Sequence, residues 1–171
     1  MTRCHVASIA IRVCAVASVT VAVVAVQPAA AATTRTIGRI VIPAIRLDAT
    51  FANGASPKDT AFGPSHYPST AMPGHRRTVA IAGHRVTHTH PFLHLGELRR
   101  GDRIEIRFGR APVFLERACY QVRRTAVVSP NDVGVIRDLG YDRLVLTTCT
   151  PPGFSTYRLV VTARRITCRT A

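Results

Sequence analysis

The segment Arg103-Ile104-Glu105-Ile106-Arg107-Phe108 alternates charged and apolar residues at every step. A period of two belongs to a strand with one face in a core and the other in water. Similar short, β-branched segments recur on both sides of it, each bounded by turn residues. They are Gly38–Ile42, Arg46–Phe51, Thr78–Ala82, Asp102–Phe108, Val113–Val128, Arg143–Cys149 and Tyr157–Ile166. Only two places read as helix. One is Pro91–Leu98, with loosely spaced leucines; the other opens at Ser129, where Ser-Pro-Asn-Asp offers a capping hydroxyl and a Pro at the first helical position, and ends by Gly140. Seven or eight strands with one or two short helices imply an all-β barrel or sandwich. The chain has 171 residues, 47% of them apolar, so it is one domain plus an appendage, and disorder is excluded.

The appendage is residues 1–34. Val13 to Val26 carry no charge, follow Arg3 and Arg12, and precede the first acidic residue, Asp48. A basic start and an apolar run mark an exported chain. Fourteen residues suit the apolar region of a signal peptide, with Ala30-Ala31-Ala32 as small residues near a cleavage point. A run extended to Ala32 instead reaches the length of an N-in membrane anchor. Both readings place residues 35–171 outside the cytoplasm, either anchored or secreted. The net charge of +14 comes from 22 Arg and one Lys, Lys58. It is either a solvated basic face or an attraction to an anionic partner. Nucleic acid is not expected, because no recognition motif is present and export argues against it.

Export leaves three cysteines, Cys119, Cys149 and Cys168, an odd number that suggests either a free thiol beside a pair or a reactive thiol. Cys149 ends the strand segment Leu144-Val145-Leu146-Thr147-Thr148 and runs into Pro151-Pro152-Gly153, which must turn. It is a small buried hydrophobe or a nucleophile at a barrel rim. His84 follows Val79-Ala80-Ile81-Ala82-Gly83, and Arg158 begins the strand after Cys149. A thiol, an imidazole and a guanidinium at one rim suffice for acyl transfer: attack, leaving-group protonation and oxyanion stabilisation.

These residues resemble a family. Leu144-Val145-Leu146-Thr147-Thr148-Cys149 followed by Arg158 is similar to the TLxTC…R signature of sortases. Ile81-Ala82-Gly83-His84 resembles their AGH motif, and Ile40-Val41-Ile42-Pro43-Ala44-Ile45 resembles their first strand. The resemblance implies a closed eight-stranded β-barrel and a cysteine transpeptidase without a cofactor. Cys149 would attack the Thr–Gly bond of a C-terminal sorting signal on a secreted protein. The acyl group would pass to an amine of a lipid-linked cell-wall precursor or of a pilin lysine, with His84 as acid/base and Arg158 at the oxyanion. Gly83-His84-Arg85-Val86-Thr87, Thr148-Cys149-Thr150-Pro151 and His66-Tyr67-Pro68 are most like class E, which implies substrate-binding roles for Tyr67 and Thr148. It also implies a preference for Leu-Ala-x-Thr-Gly over Leu-Pro-x-Thr-Gly. Arg46 departs from the family, which commonly has Gly there. With Cys149 reserved for chemistry by the resemblance, Cys119 and Cys168 are a disulfide candidate, against two unrelated free thiols.

Other readings compete. His84, His88, His90 and His94 are spaced unlike a zinc template, and no metal is expected. The alternatives are an exported cysteine protease, in which water resolves the acyl enzyme, and a non-catalytic basic wall-binding module.

Overall fold

The computed structural model describes residues 36–109 and 116–169. The expected leader, residues 1–34, lies outside the described residues, as does the start of the expected strand at Val113. Among the described residues eight strands are formed: β1 (Thr36–Ile42), β2 (Leu47–Asn53), β3 (Ser65–His66), β4 (Thr78–Ala82), β5 (Arg103–Phe108), β6 (Glu116–Val128), β7 (Arg143–Thr150) and β8 (Tyr157–Ile166). They close into a barrel in the order β1-β2-β3-β4-β7-β8-β6-β5, with β1 pairing β5. Closure leaves no open edge.

The alternation in β5 is realised as expected: Ile104, Ile106 and Phe108 are buried, while Arg103, Glu105 and Arg107 point outward. The interior also takes Ile40, Ile42, Phe51, Val79, Ile81, Tyr120, Leu144 and Leu146. In β4 and β7 the apolar residues run consecutively because both faces are covered. Ala80 and Val145 face away from this core and pack with Val160 under Tyr67, Val135 and Ile136.

The helices differ from the sequence expectation. A single α-turn, α1 (Pro57–Thr60), was not foreseen; it has a capping box in which Ser56 and Asp59 bind each other's backbone N–H. The Ser129 helix is replaced by a 3₁₀ turn, Val133–Ile136, capped by Asp132. The Ser129 hydroxyl instead accepts the Asn131 N–H at 3.3 Å, a local turn that competes with helix. Pro91–Leu98 forms a succession of i→i+3 turns ending in a 3₁₀ helix, Leu95–Glu97. A further 3₁₀ turn, Pro43–Ile45, ends at Arg46, whose φ is 53°. The left-handed conformation explains why Gly suits this position.

Arg46 is exposed, so its substitution removes little packing. Arg46→Gly is expected to stabilise the protein by about 0.5–1 kcal/mol: relief of about 1–2 kcal/mol of left-handed strain outweighs the extra chain entropy of Gly. A higher midpoint in chemical denaturation checks this; a lower one contradicts it.

Cys119, in β6, lies opposite Ile166 of β8, and a disulfide joins it to Cys168 across 49 positions of sequence, with Cα atoms 5.2 Å apart.

Candidate active site

Three neighbouring strands build the site. β4 runs parallel to β7, with Ala82 opposite Thr147, and the pairing continues one residue further as Gly83 N–H donates to the Thr147 carbonyl at 3.1 Å. His84 therefore leaves β4 at the level where β7 reaches Thr148 and Cys149. β7 and β8 are antiparallel, and Cys149 lies directly opposite Arg158. One pocket of about 180 Å³ is lined by His84, Cys149 and Arg158 together with Thr60, Tyr67 and Thr148. The thiol, imidazole and guanidinium foreseen from sequence thus share one rim.

Gly83 makes the sharp exit possible. A Cβ there would sit 2.6 Å from the ring of Phe92, a fully buried residue. Phe92 N–H donates to the His84 carbonyl at 3.0 Å, so the loop after His84 folds back as a plug on the core. From the β7 side, the buried Thr148 hydroxyl donates to the Gly83 carbonyl at 2.8 Å. Thr148 lines the pocket, but its hydroxyl is engaged in holding the backbone that carries His84.

His84 is held at both ring nitrogens. Nε2 lies 3.1 Å from the Thr60 hydroxyl and Nδ1 lies 2.8 Å from that of Thr87. The Thr60 hydroxyl also contacts the Ser56 carbonyl at 3.2 Å. When Thr60 donates there, it accepts from Nε2–H and Thr87 donates to Nδ1; when Thr60 donates to Nε2, Nδ1–H donates to Thr87, so the two threonines hold the ring in either neutral tautomer. His88 stacks on the imidazole with ring centroids 4.4 Å apart. Burial, then the neighbouring His88 charge, lowers the His84 pKa below its usual 6.5. His94 pairs with Glu97, and among the described residues no group of three or more potential ligands converges on a metal position.

Cys149 is partly exposed and unbonded to other cysteines. Arg158 donates from one Nη to the carbonyls of Ser155 and Tyr157, at 2.9 and 3.2 Å, which aims it along the β7–β8 loop. Tyr67 donates to or accepts from the Thr147 hydroxyl at 3.1 Å, which fixes its ring at the pocket wall.

Sequence reasoning missed three supporting residues. Thr60 had a legible signal, the Ser56-Pro57-x-Asp59 cap that starts α1. Arg85 had none: its Nη1 donates to the Thr150 hydroxyl at 2.7 Å, tying the two loops of the rim together. Thr87 had none either.

Two histidines, buried His66 and partly buried His84, set a pH dependence. His66 Nδ1 lies 2.9 Å from the Asn53 side-chain amide, and its Nε2 lies 3.0 Å from the Ala71 carbonyl and 3.1 Å from the Thr70 hydroxyl. Its burial lowers its pKa from 6.5 more than the Ala71 carbonyl raises it. For both His66 and His84 the folded state resists a proton that the unfolded chain accepts. Stability is therefore full above about pH 6.5 and falls as the pH drops below it. Asp138, held at about 2 by Arg77, titrates outside this window. Melting temperature is expected to fall between pH 7.5 and pH 5.5, with a shallower slope in His66→Gln; a rise on acidification contradicts this.

The comparisons agree with this arrangement. A family model for the sortase domain matches residues 40–166. No curated protein matches the chain. Among solved structures, sortase A of Corynebacterium diphtheriae (a lid mutant) is 27% identical, with 79% of this chain and 72% of that chain covered and a TM-score of 0.72. A sortase D5 transpeptidase of Clostridium perfringens is 27% identical over 77% of this chain and 79% of that one, with a TM-score of 0.69. Sortase E1 of Streptomyces coelicolor, with a tripeptide in its active site, is 26% identical over 78% and 90%, with a TM-score of 0.70. With a barrel that carries Cys149, His84 and Arg158 on one rim, and a family match across nearly all of it, the chain belongs to the sortase family of cysteine transpeptidases acting on peptide bonds.

Proposed function

We propose that Cys149 is the nucleophile, His84 the general acid/base and Arg158 the oxyanion and substrate-backbone contact of a class E-like sortase. The observation that carries this reading is the placement of the three side chains on one pocket, with Cys149 and Arg158 directly opposite across β7–β8. The thiol adds to the scissile Thr carbonyl as its proton passes to the neutral His84, and the negative oxygen develops beside Arg158. His84 then protonates the leaving Gly amine as the C–N bond breaks, which leaves a thioester on Cys149. An acceptor amine reverses the sequence: it forms the new amide and returns the thiol. Water in place of the amine gives hydrolysis, the outcome that defines the protease alternative.

The acyl donors in this reading are secreted proteins with a C-terminal sorting signal, and the acceptor is a lipid-linked cell-wall precursor amine or a pilin lysine. The chain works outside the cytoplasm, carried there by residues 1–34 as a cleaved signal or an N-in anchor. Support for this comes from the uncharged run Val13–Val26 after two arginines. The test is incubation with fluorogenic Leu-Ala-x-Thr-Gly and Leu-Pro-x-Thr-Gly peptides, with and without an amine. Ligated product that grows with amine concentration supports transpeptidation; hydrolysis alone, at every amine concentration, contradicts it.

Tyr67 carries the substrate preference in this account. Its ring stands at the pocket wall beside Thr147; in this reading it fills the space beside the signal's second residue, so that Ala fits and a Pro ring crowds. Tyr67→Ala is expected to narrow or reverse the preference for Ala over Pro by ~10–200-fold, the worth of one pocket contact. Ratios of kcat/KM for the two peptides check this, and an unchanged ratio places the selector elsewhere.

A further inference from the structure

A second hollow, of about 370 Å³, lies toward the other ends of β7 and β8 and is lined by Arg100, Arg123, Arg143 and Arg164 with Tyr141 and Thr162. Arg143 precedes Cys149 by six positions in β7, which sets the two sites about 20 Å apart along the strand. The four arginines come from four places: the turn before β5, β6, β7 and β8. Among the described residues, no salt bridge joins any of them to a carboxylate.

Three features of the backbone and packing concentrate this charge. Arg143 and Arg164 are direct cross-strand partners, an arrangement that repels when both are cationic. The β6–β8 register breaks between Val122 and Arg124, a bulge that releases Arg123 from the ladder, and its side chain joins the same hollow. Arg143 is also partly withdrawn from water: its Nη2 binds the Val135 and Arg137 carbonyls, each at 2.9 Å, while its buried Nε has no partner. The carboxylate that acts on it electrostatically, Asp138, is already bound to Arg77 at 2.6 Å. Arg164 stacks over the exposed ring of Tyr141, 5.3 Å from its centroid, which holds that guanidinium at the edge of the hollow. Like charges gathered without a counter-ion are stabilised by an anion between them, and guanidiniums suit the tetrahedral oxygens of phosphate.

We propose that this hollow binds a phosphate group, as a monoester or diester, and so anchors a phosphate-bearing molecule at a distance from the thiol. The inference is independent of the catalytic roles assigned above. Sodium phosphate and glycerol 1-phosphate are titrated calorimetrically into the full chain in a nonionic detergent at constant ionic strength. In parallel, the chain is sedimented with vesicles of phosphatidylcholine alone or mixed with phosphatidylglycerol. Saturable phosphate binding near one equivalent is expected. The double variant Arg123→Gln/Arg164→Gln, two exposed positions, is expected to weaken it at least ~10-fold with peptide cleavage unchanged. Arg46→Gln/Lys58→Gln removes the same charge elsewhere and is expected to leave affinity within about twofold. Arginine-dependent sedimentation with the phosphatidylglycerol vesicles identifies a lipid headgroup as the source; arginine-dependent binding of the soluble phosphates alone identifies a free or polymer-borne phosphate. Equal weakening in both double variants, or no saturable binding to either phosphate or vesicle, overturns the proposal.

Discussion

Cys149→Ala is expected to lower peptide cleavage and amine ligation by at least ~10²-fold, and His84→Ala and Arg158→Ala to do the same, each with the barrel intact. The reason is geometric. Cys149 and Arg158 face each other across two strands, and His84 is set beside them by the parallel pairing of β4 on β7. Each removes a different contribution to one transition state, so the losses are not expected to add: the double variant Cys149→Ala/His84→Ala falls little below the worse single one. Steady-state kinetics with circular dichroism on the same samples checks this. Near-normal turnover in Cys149→Ala contradicts the assignment.

The second large effect concerns the Cys119–Cys168 disulfide. It closes a loop across 49 positions and ties the residues after β8 to the first half of β6. Replacing both cysteines by Ser is expected to cost ~2–4 kcal/mol, because the unfolded chain regains the freedom that the crosslink removed. Activity should survive at temperatures well below the melting point, since the bond lies outside the residues that line the reactive pocket. Denaturant midpoints of the oxidised protein and the double variant measure the effect. Equal midpoints contradict it, as would three titratable thiols in denatured, unreduced protein lacking residues 1–34.

Much of the barrel was legible because its strands are long enough to show a period. β5 alternates over six residues, and β4 and β8 appear with the bounds read from the sequence. β3 was not legible: two residues, Ser65–His66, carry no period, and their pairing with β2 and β4 is set by the surrounding chain. The cap signals were legible but were read in one place and not the other. At Ser56 the hydroxyl and Asp59 complete a reciprocal cap, whereas at Ser129 the hydroxyl turns back on Asn131. The 3₁₀ turn beyond Ser129 ends where its carbonyls are drawn off: Arg143 binds those of Val135 and Arg137, and the Thr78 hydroxyl binds Arg137 as well.

The site followed the same division. Cys149, His84 and Arg158 were legible because each stands at a strand end beside a turn, where side chains reach the rim. Their supports were not, because hydrogen bonds such as Thr60 to His84 and Arg85 to Thr150 join residues 24 and 65 positions apart. Thr148 shows the limit of motif reading. It lines the pocket, yet its buried hydroxyl is spent on the Gly83 carbonyl. Arg46 shows the reverse, since the position where Gly is common turned out to need a positive φ.

A thioester on Cys149 is tested most directly by peptide-mapping mass spectrometry. The protein is mixed with excess Leu-Ala-x-Thr-Gly peptide without an amine, quenched in acid and digested. An added mass equal to the peptide acyl group through its Thr is expected on the fragment that contains Cys149, released by hydroxylamine and absent from Cys149→Ala. Cleavage of the peptide with no adduct on Cys149, or an adduct on another residue, would contradict it.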